Sequence, residues 1–152
     1  MKIVLASDRR GLSVLATILE YLRTLPEHTV LLLNDPSEDM DYPDIAAKVA
    51  LPVSSGMADC GILICGTGIG TCIVANKFPG VRATPCHNEV VAELSRKHNN
   101  SNVLCLSGDL LGERSSVAVV AAWLTSEFEE GRHRTRLEKI RQLETANGAC
   151  VA

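Results

Sequence analysis

Aromatic residues are scarce: two Phe, two Tyr and one Trp make up 3% of 152 residues, although 46% are hydrophobic. A packed globule must therefore be filled by aliphatic chains. Neither sign of charge dominates, with 15 Lys and Arg against 18 Asp and Glu and a formal net charge of -3. That balance excludes a nucleic-acid patch and a polybasic membrane surface. No apolar run approaches the roughly 20 residues needed to cross a bilayer. The opening MKIVLASD runs straight into a strand-like segment, without the basic stretch and long apolar run of a signal peptide. No Cys-x-x-Cys pair exists, and His28, His87, His98 and His133 are dispersed, so no metal site is expected. Several of the six cysteines sit inside apolar runs such as ILIC and VLCL, where a reduced thiol behaves as a small hydrophobe. Repeats, linkers and low-complexity segments are missing too. The expectation is one domain, 1–152, soluble and cytoplasmic, with no nucleic-acid or membrane partner.

What is present alternates. Ile3 to Ala6 reads as a strand, and Leu12, Leu15, Leu19 and Leu22 recur at helical spacing. Thr29 to Leu33 is a second strand, followed by a loop through Asn34, Asp35, Pro36 and Ser37. A helix is expected from Pro43, ended or kinked by Pro52. Gly61 to Ile64, Gly80 to Cys86 and Val103 to Leu106 read as further strands, Ser115 to Phe128 as a helix, and Arg132 to Thr145 as a polar amphipathic helix. Strand–helix alternation predicts an α/β fold, a Rossmann-like three-layer sandwich with a five-stranded parallel sheet and an extra C-terminal helix. Ligands of such sheets bind beyond the carboxyl ends of the strands. That rule selects Ser7 to Arg10, Cys65 to Gly68, Cys86-His87 and Ser107 to Asp109.

The segment GILICGTGIGT puts Cys65 at a strand end, with Gly66, Gly68 and Gly70 in the turn that opens a helix. Glycines permit positive φ and let successive amides converge on an anion. The helix mouth also favours a thiolate over a thiol. Cys65 is thus either core filler beside a tight turn or a base aimed at a ligand. A dinucleotide fingerprint is not matched, and no Lys-Ser or Lys-Thr closes a nucleotide phosphate loop. The arginine that would clamp phosphate in a cysteine phosphatase is absent, since Thr71 and Cys72 stand there.

These residues carry a resemblance. The opening Ser7-Asp8, DYPD at 41–44, GILICGTGIG at 61–70, ANKFPGVRA at 75–83, LSRKHNNSNVL at 94–104 and EGRHRTRLEKI at 130–140 occur in one order along nearly the whole chain. Together they resemble the ribose-5-phosphate isomerase B family, which includes the galactose-6-phosphate isomerase subunits. The resemblance implies interconversion of ribose 5-phosphate and ribulose 5-phosphate without cofactor or metal. It also implies homodimers or dimers of dimers with active sites shared between chains. By position, Cys65 matches the family's base, Thr67 and the glycines Gly66, Gly68 and Gly70 its anion-binding turn, and His98 its ring-opening acid. Asn99 matches the residue that holds the developing enediolate, Asp8 a contact to the sugar, and Arg132 and Arg136 phosphate-binding arginines; Arg9 and His133 complete the expected substrate-binding set. Some relatives carry a glutamate base where Thr71 stands, so this chain resembles the cysteine branch.

Aldose–ketose isomerisation asks for these parts independently: a base near the carbons, an acid for the ring, donors for the oxyanion and a phosphate clamp. Histidine is the side chain suited to exchanging protons in neutral solution, which fits His98 to the acid's part, and Arg132 and Arg136 share a helix face four residues apart. Read without the family, His98 is more often a surface residue at a helix end, and the arginines a solvated face near Glu130 and Glu138. Three positions depart from the family pattern: Arg9 replaces a usual histidine, Asp109 a usual arginine, and Val90 a common tyrosine. Either Arg9 supplies the displaced charge, with Asp109 paired to it or to Arg10, or the pocket has moved toward another sugar phosphate. Val90 is expected to alter the pocket's shape.

Overall fold

The computed structural model describes residues 1–34 and 40–148. The expected loop at Asp35 to Ser37, and Cys150 in the tail, lie outside them. The described chain folds as β1 (Lys2–Ser7), a 3-10 turn (Arg9–Gly11), α1 (Leu12–Arg23), β2 (Thr29–Leu32), α2 (Tyr42–Ser54), β3 (Cys60–Cys65), α3 (Ile69–Ala75), β4 (Ala83–Pro85), α4 (Glu89–Asn99), β5 (Val103–Ser107), α5 (Glu113–Thr125) and α6 (Arg132–Gly148). All strand pairs are parallel, in the order β2-β1-β3-β5-β4. The three-layer α/β expectation holds.

Side chains alternate across the pleat, so each central strand feeds two cores. Ile3, Leu5, Ile62, Ile64, Leu104 and Leu106 pack with Val14, Ile18 and Leu22 of α1 and Val119, Val120 and Trp123 of α5. Val4, Ala6, Leu63, Val103 and Cys105 face the other way, toward Ile45, Val49, Ala50 and Val53 of α2 and Ala75 of α3. The β3 strand CGILIC is buried throughout, as both-face coverage requires.

Two boundaries differ from expectation. Pro52 does not end α2, which continues to Ser54. Only one backbone donor is lost there; Val53 still packs into the core, and Ser55 closes the end through its N–H and hydroxyl to the Leu51 carbonyl. The strand expected over Gly80 to Cys86 shortens to Ala83–Pro85. Gly80 sits at φ +73 in a turn, and the Arg82 N–H is taken by the Asn102 side chain rather than a strand. Pro85 lacks an N–H, which the edge position of β4 tolerates.

The register places the functional loops side by side. Ser7 lies opposite Ile64, and Cys65 opposite Ser107, so β1, β3 and β5 end at one level. The chain leaves β1 toward one edge and β3 toward the other, which opens a crevice between them.

Candidate active site

Three loops meet at this crevice and lace together. Asp8 accepts the Arg10 N–H on its Oδ1 at 2.9 Å, which starts the 3-10 turn, while its own N–H donates to the Ile64 carbonyl. Gly11 lies so close to β3 that a Cβ there would meet Ile64 at 2.4 Å. From β5, Gly108 N–H donates to the Cys65 carbonyl at 2.8 Å and Asp109 N–H to the Gly66 carbonyl at 3.0 Å. The Ser107 hydroxyl donates to the same Gly66 oxygen at 2.6 Å. The strand-to-helix turn is therefore held in place from below by its neighbours. Gly68 takes φ +76 against the Leu106 backbone, a conformation and a spacing that suit glycine alone.

A cavity of about 540 Å³ opens over this turn. Asp8, Arg9 and Arg10 line it from β1, Cys65, Gly66, Thr67, Ile69 and Gly70 from β3 and α3, and Met40, Asp41 and Tyr42 from the start of α2. Cys65 is 4% exposed and is the cavity's cysteine among the described residues. Its sulfur accepts the Gly68 N–H at 3.1 Å and lies 3.5 Å from the Thr71 hydroxyl. The other thiols are differently placed. Burial pushes Cys60 and Cys86 up to about 11, and raises Cys105 as well, so these remain protonated packing groups.

The two arginines after β1 divide their work. Arg10 makes a two-pronged contact with Asp109, its Nε donating to Oδ1 at 3.2 Å and its second nitrogen to Oδ2. Asp109 is thus paired with Arg10, one of the two arrangements expected from sequence. Arg9 lines the cavity beside it.

The remaining candidates gather elsewhere. His98 and Asn99 end α4, where Asn100 at φ 47 caps the helix and Glu129 N–H donates to the Lys97 carbonyl. Arg132, His133 and Arg136 lie in the first turns of α6. The His98 and His133 rings stack 4.3 Å apart and 2° from parallel, and His98 Nε2 lies 3.8 Å from Glu129. Burial, with positive neighbours His98, Arg132 and Arg136, holds His133 below the usual histidine range. His98, Glu129 and His133 have donor atoms within 4.8 Å of one another. Stacked rings, however, send their in-plane lone pairs along parallel lines rather than to one point, and Arg132 Nε already donates to His133 Nε2.

Within one chain, then, the structure brings Asp8, Arg9, Cys65, Gly66, Thr67 and Gly70 together around the cavity, with Gly68 behind them. His98, Arg132, His133 and Arg136 form a second group that does not line it, and Asn99, next to His98 in the chain, lines a different cavity with Arg82 and Ile140. Val90, 63% exposed on α4, does not line it either. Asp41 and Tyr42 were missed as site residues. They begin a helix rather than follow a strand, and the signal available was the DYPD stretch itself. The Tyr42 ring lies over Gly70, where a Cβ would meet it at 2.6 Å.

A Ribose/Galactose Isomerase profile matches residues 3–140. The chain belongs to that family. Ribose-5-phosphate isomerase B of Escherichia coli (strain K12) is 48% identical over 108 residues, 71% of this chain and 72% of its own. The solved structure of Clostridium thermocellum ribose-5-phosphate isomerase B superposes with a TM-score of 0.92 at 41% identity, covering 97% of this chain and 99% of that one. That of Mycoplasma genitalium ribose-5-phosphate isomerase B with bound ribulose 5-phosphate gives 0.89 at 41% identity, covering 95% and 96%. Like other members of the ribose/galactose isomerase family, this protein is an aldose–ketose isomerase. None of its described helices is long and apolar enough to cross a membrane.

Proposed function

We propose that this isomerase interconverts ribose 5-phosphate and ribulose 5-phosphate, with Cys65 as the base that carries the proton between C1 and C2. The observation that supports the base assignment is the Cys65 sulfur in the cavity wall, receiving the Gly68 amide at 3.1 Å. An N–H aimed at sulfur favours its anion and fixes its direction. Removal of the C2 proton of the opened aldose leaves an enediolate, whose oxygens take hydrogen bonds from the amides of Gly66 and Gly70 and from Thr67, the Gly68 amide being turned to the sulfur. The O2 proton passes to O1, and the same sulfur returns the carbon-bound proton to C1, which leaves the C2 carbonyl of the ketose. Asp8 and Asp41 hold sugar hydroxyls, and Arg9 faces the anionic end.

Ring opening and phosphate capture belong to the second group and its neighbour Asn99: His98 as acid, Asn99 on the enediolate, and Arg132, His133 and Arg136 around the phosphate. Because that group does not line the Cys65 cavity of its own chain, we infer a homodimer in which one protomer's α4 and α6 complete the partner's site. The five described cysteines are free, which favours a reducing, cytoplasmic setting.

A six-carbon sugar phosphate is the second reading. It is favoured by Asp109, which offsets the charge of Arg10 and leaves the pocket less cationic than the family pattern implies. Turnover of ribose 5-phosphate, allose 6-phosphate and galactose 6-phosphate, measured side by side with C2 hydrogen exchange in deuterated water, decides between them. Ribose 5-phosphate is expected to be preferred at least tenfold in kcat/KM. Preference for a hexose would replace the substrate but keep the reaction, whereas binding without exchange on any of the three would leave only a sugar-phosphate-binding protein.

A further inference from the structure

We infer that Thr71 is a positioning residue for the proton on Cys65, its hydroxyl hydrogen turning toward the sulfur when the thiol ionises and away when it is protonated. The inference rests on Cys65 being the base and assigns a partner that the reaction itself does not name. Thr71 is fully buried on α3, out of reach of any substrate in the cavity. Its Oγ1 lies 3.2 Å from the Gly68 carbonyl, to which it donates, and 3.5 Å from the Cys65 sulfur. The Gly68 N–H points at that same sulfur at 3.1 Å.

One hydroxyl has one hydrogen and two lone pairs, so the two contacts cannot both use the hydrogen. With Cys65 protonated, S–H donates to Thr71 Oγ1, and the Thr71 hydrogen goes to the Gly68 carbonyl. With Cys65 ionised, the Thr71 hydrogen swings to sulfur and joins the Gly68 amide, giving the anion two donors on its buried side. No atom moves except that hydrogen, so the response costs no reorganisation of the turn. Serine, threonine and cysteine apart, a side chain of this size at 71 would leave the thiolate with the amide alone.

The charged and titratable groups around the sulfur are Asp8, Arg9 and Arg10 after β1, Asp41 and Tyr42 at the start of α2, Asp109 after β5, and the buried thiol of Cys105 on β5. Replacing Thr71 changes none of the charged groups; it also removes the hydrogen bond between the Thr71 hydroxyl and the Cys105 thiol, which labelling read on the Cys65 peptide keeps apart. The shape-matched variant is Thr71→Val, with Thr71→Ala as a second choice should the valine fail to fold, and Thr71→Ser as the rescue.

Two readouts separate this claim from the base assignment beneath it. The first is iodoacetamide labelling of Cys65, followed by mass spectrometry of its peptide across pH, which reports the thiolate without any turnover. The second is the acid limb of kcat/KM for ribose 5-phosphate. Thr71→Val is expected to move both midpoints up by about one pH unit, the scale of one lost hydrogen bond to an anion. Below the midpoint, kcat should fall roughly tenfold with KM nearly unchanged, and Thr71→Ser should restore the native midpoints. Unmoved labelling in Thr71→Val or Thr71→Ala would overturn the inference, as would a serine variant as impaired as the valine. If labelling moves and the rate profile does not, Thr71 governs the sulfur but the sulfur is not the base; that outcome overturns the underlying reading instead.

Discussion

At the residue scale, the pocket's charge is set by pairs rather than by single side chains. Asp109 stands where the family pattern has a cation, and the fork of Arg10 on its carboxylate meets that change within the same loop cluster. Arg10 is well exposed and the pair sits at the cavity rim, so its worth to stability is small. Its effect on an arriving dianion is larger, since a carboxylate repels phosphate and occupies the guanidinium fork that would bind it. Asp109→Asn is therefore expected to lower KM for ribose 5-phosphate about threefold to tenfold at low salt, with kcat nearly constant and the gain shrinking as ionic strength rises. Steady-state kinetics at two salt concentrations check this, and an unchanged or raised KM would show that the pair serves binding rather than opposing it. That Asp109 pairs was legible from its place after β5, but the choice between Arg9 and Arg10 was not. Consecutive residues of a 3-10 turn point in different directions, and only the Asp8 cap on the Arg10 N–H fixes which one reaches β5.

At the element scale, apolar runs and helical spacing located the five strands and the cores of α1, α2, α5 and α6, most plainly where burial on both faces leaves an uninterrupted apolar run such as CGILIC. The errors lie at element ends, where hydrogen-bond partners far along the chain decide the outcome. Asn102 takes the Arg82 N–H, and nothing local to residues 80–82 announces it. Packing explains Gly61, which hydropathy alone does not. A Cβ at this central-strand position would meet Val49 of α2 at 2.5 Å, so the glycine lets helix and sheet approach. Gly61→Ala is expected to cost about 1–3 kcal/mol, although alanine ordinarily favours regular structure over glycine. Urea unfolding with an unchanged slope would confirm it, and a neutral or stabilised variant would show that α2 yields easily.

At the scale of the whole molecule, the sheet ends gather one half of the candidate residues and the α4–α6 corner the other. The first half was legible because strand ends in a parallel sheet are the expected ligand side. The second was visible only through resemblance: His98 and the arginines carry no spacing signal that separates a phosphate clamp from a solvated face, and α6 is polar along its length. Their separation from the Cys65 cavity in one chain gives the account its central claim, a proton-transfer site assembled from Cys65 of one protomer and His98 with α6 of another. Symmetric dimers offer a direct check, since random reassortment of two differently disabled chains makes half the dimers hybrids, each with one intact site. The measurement is C2 deuterium exchange on ribose 5-phosphate by Cys65→Ala alone, His98→Ala alone, and the two reassorted together. The account predicts negligible exchange from either variant and about a quarter of the native rate from the mixture. Exchange by Cys65→Ala alone, or a mixture that stays silent although native mass spectrometry shows the hybrids, would contradict it.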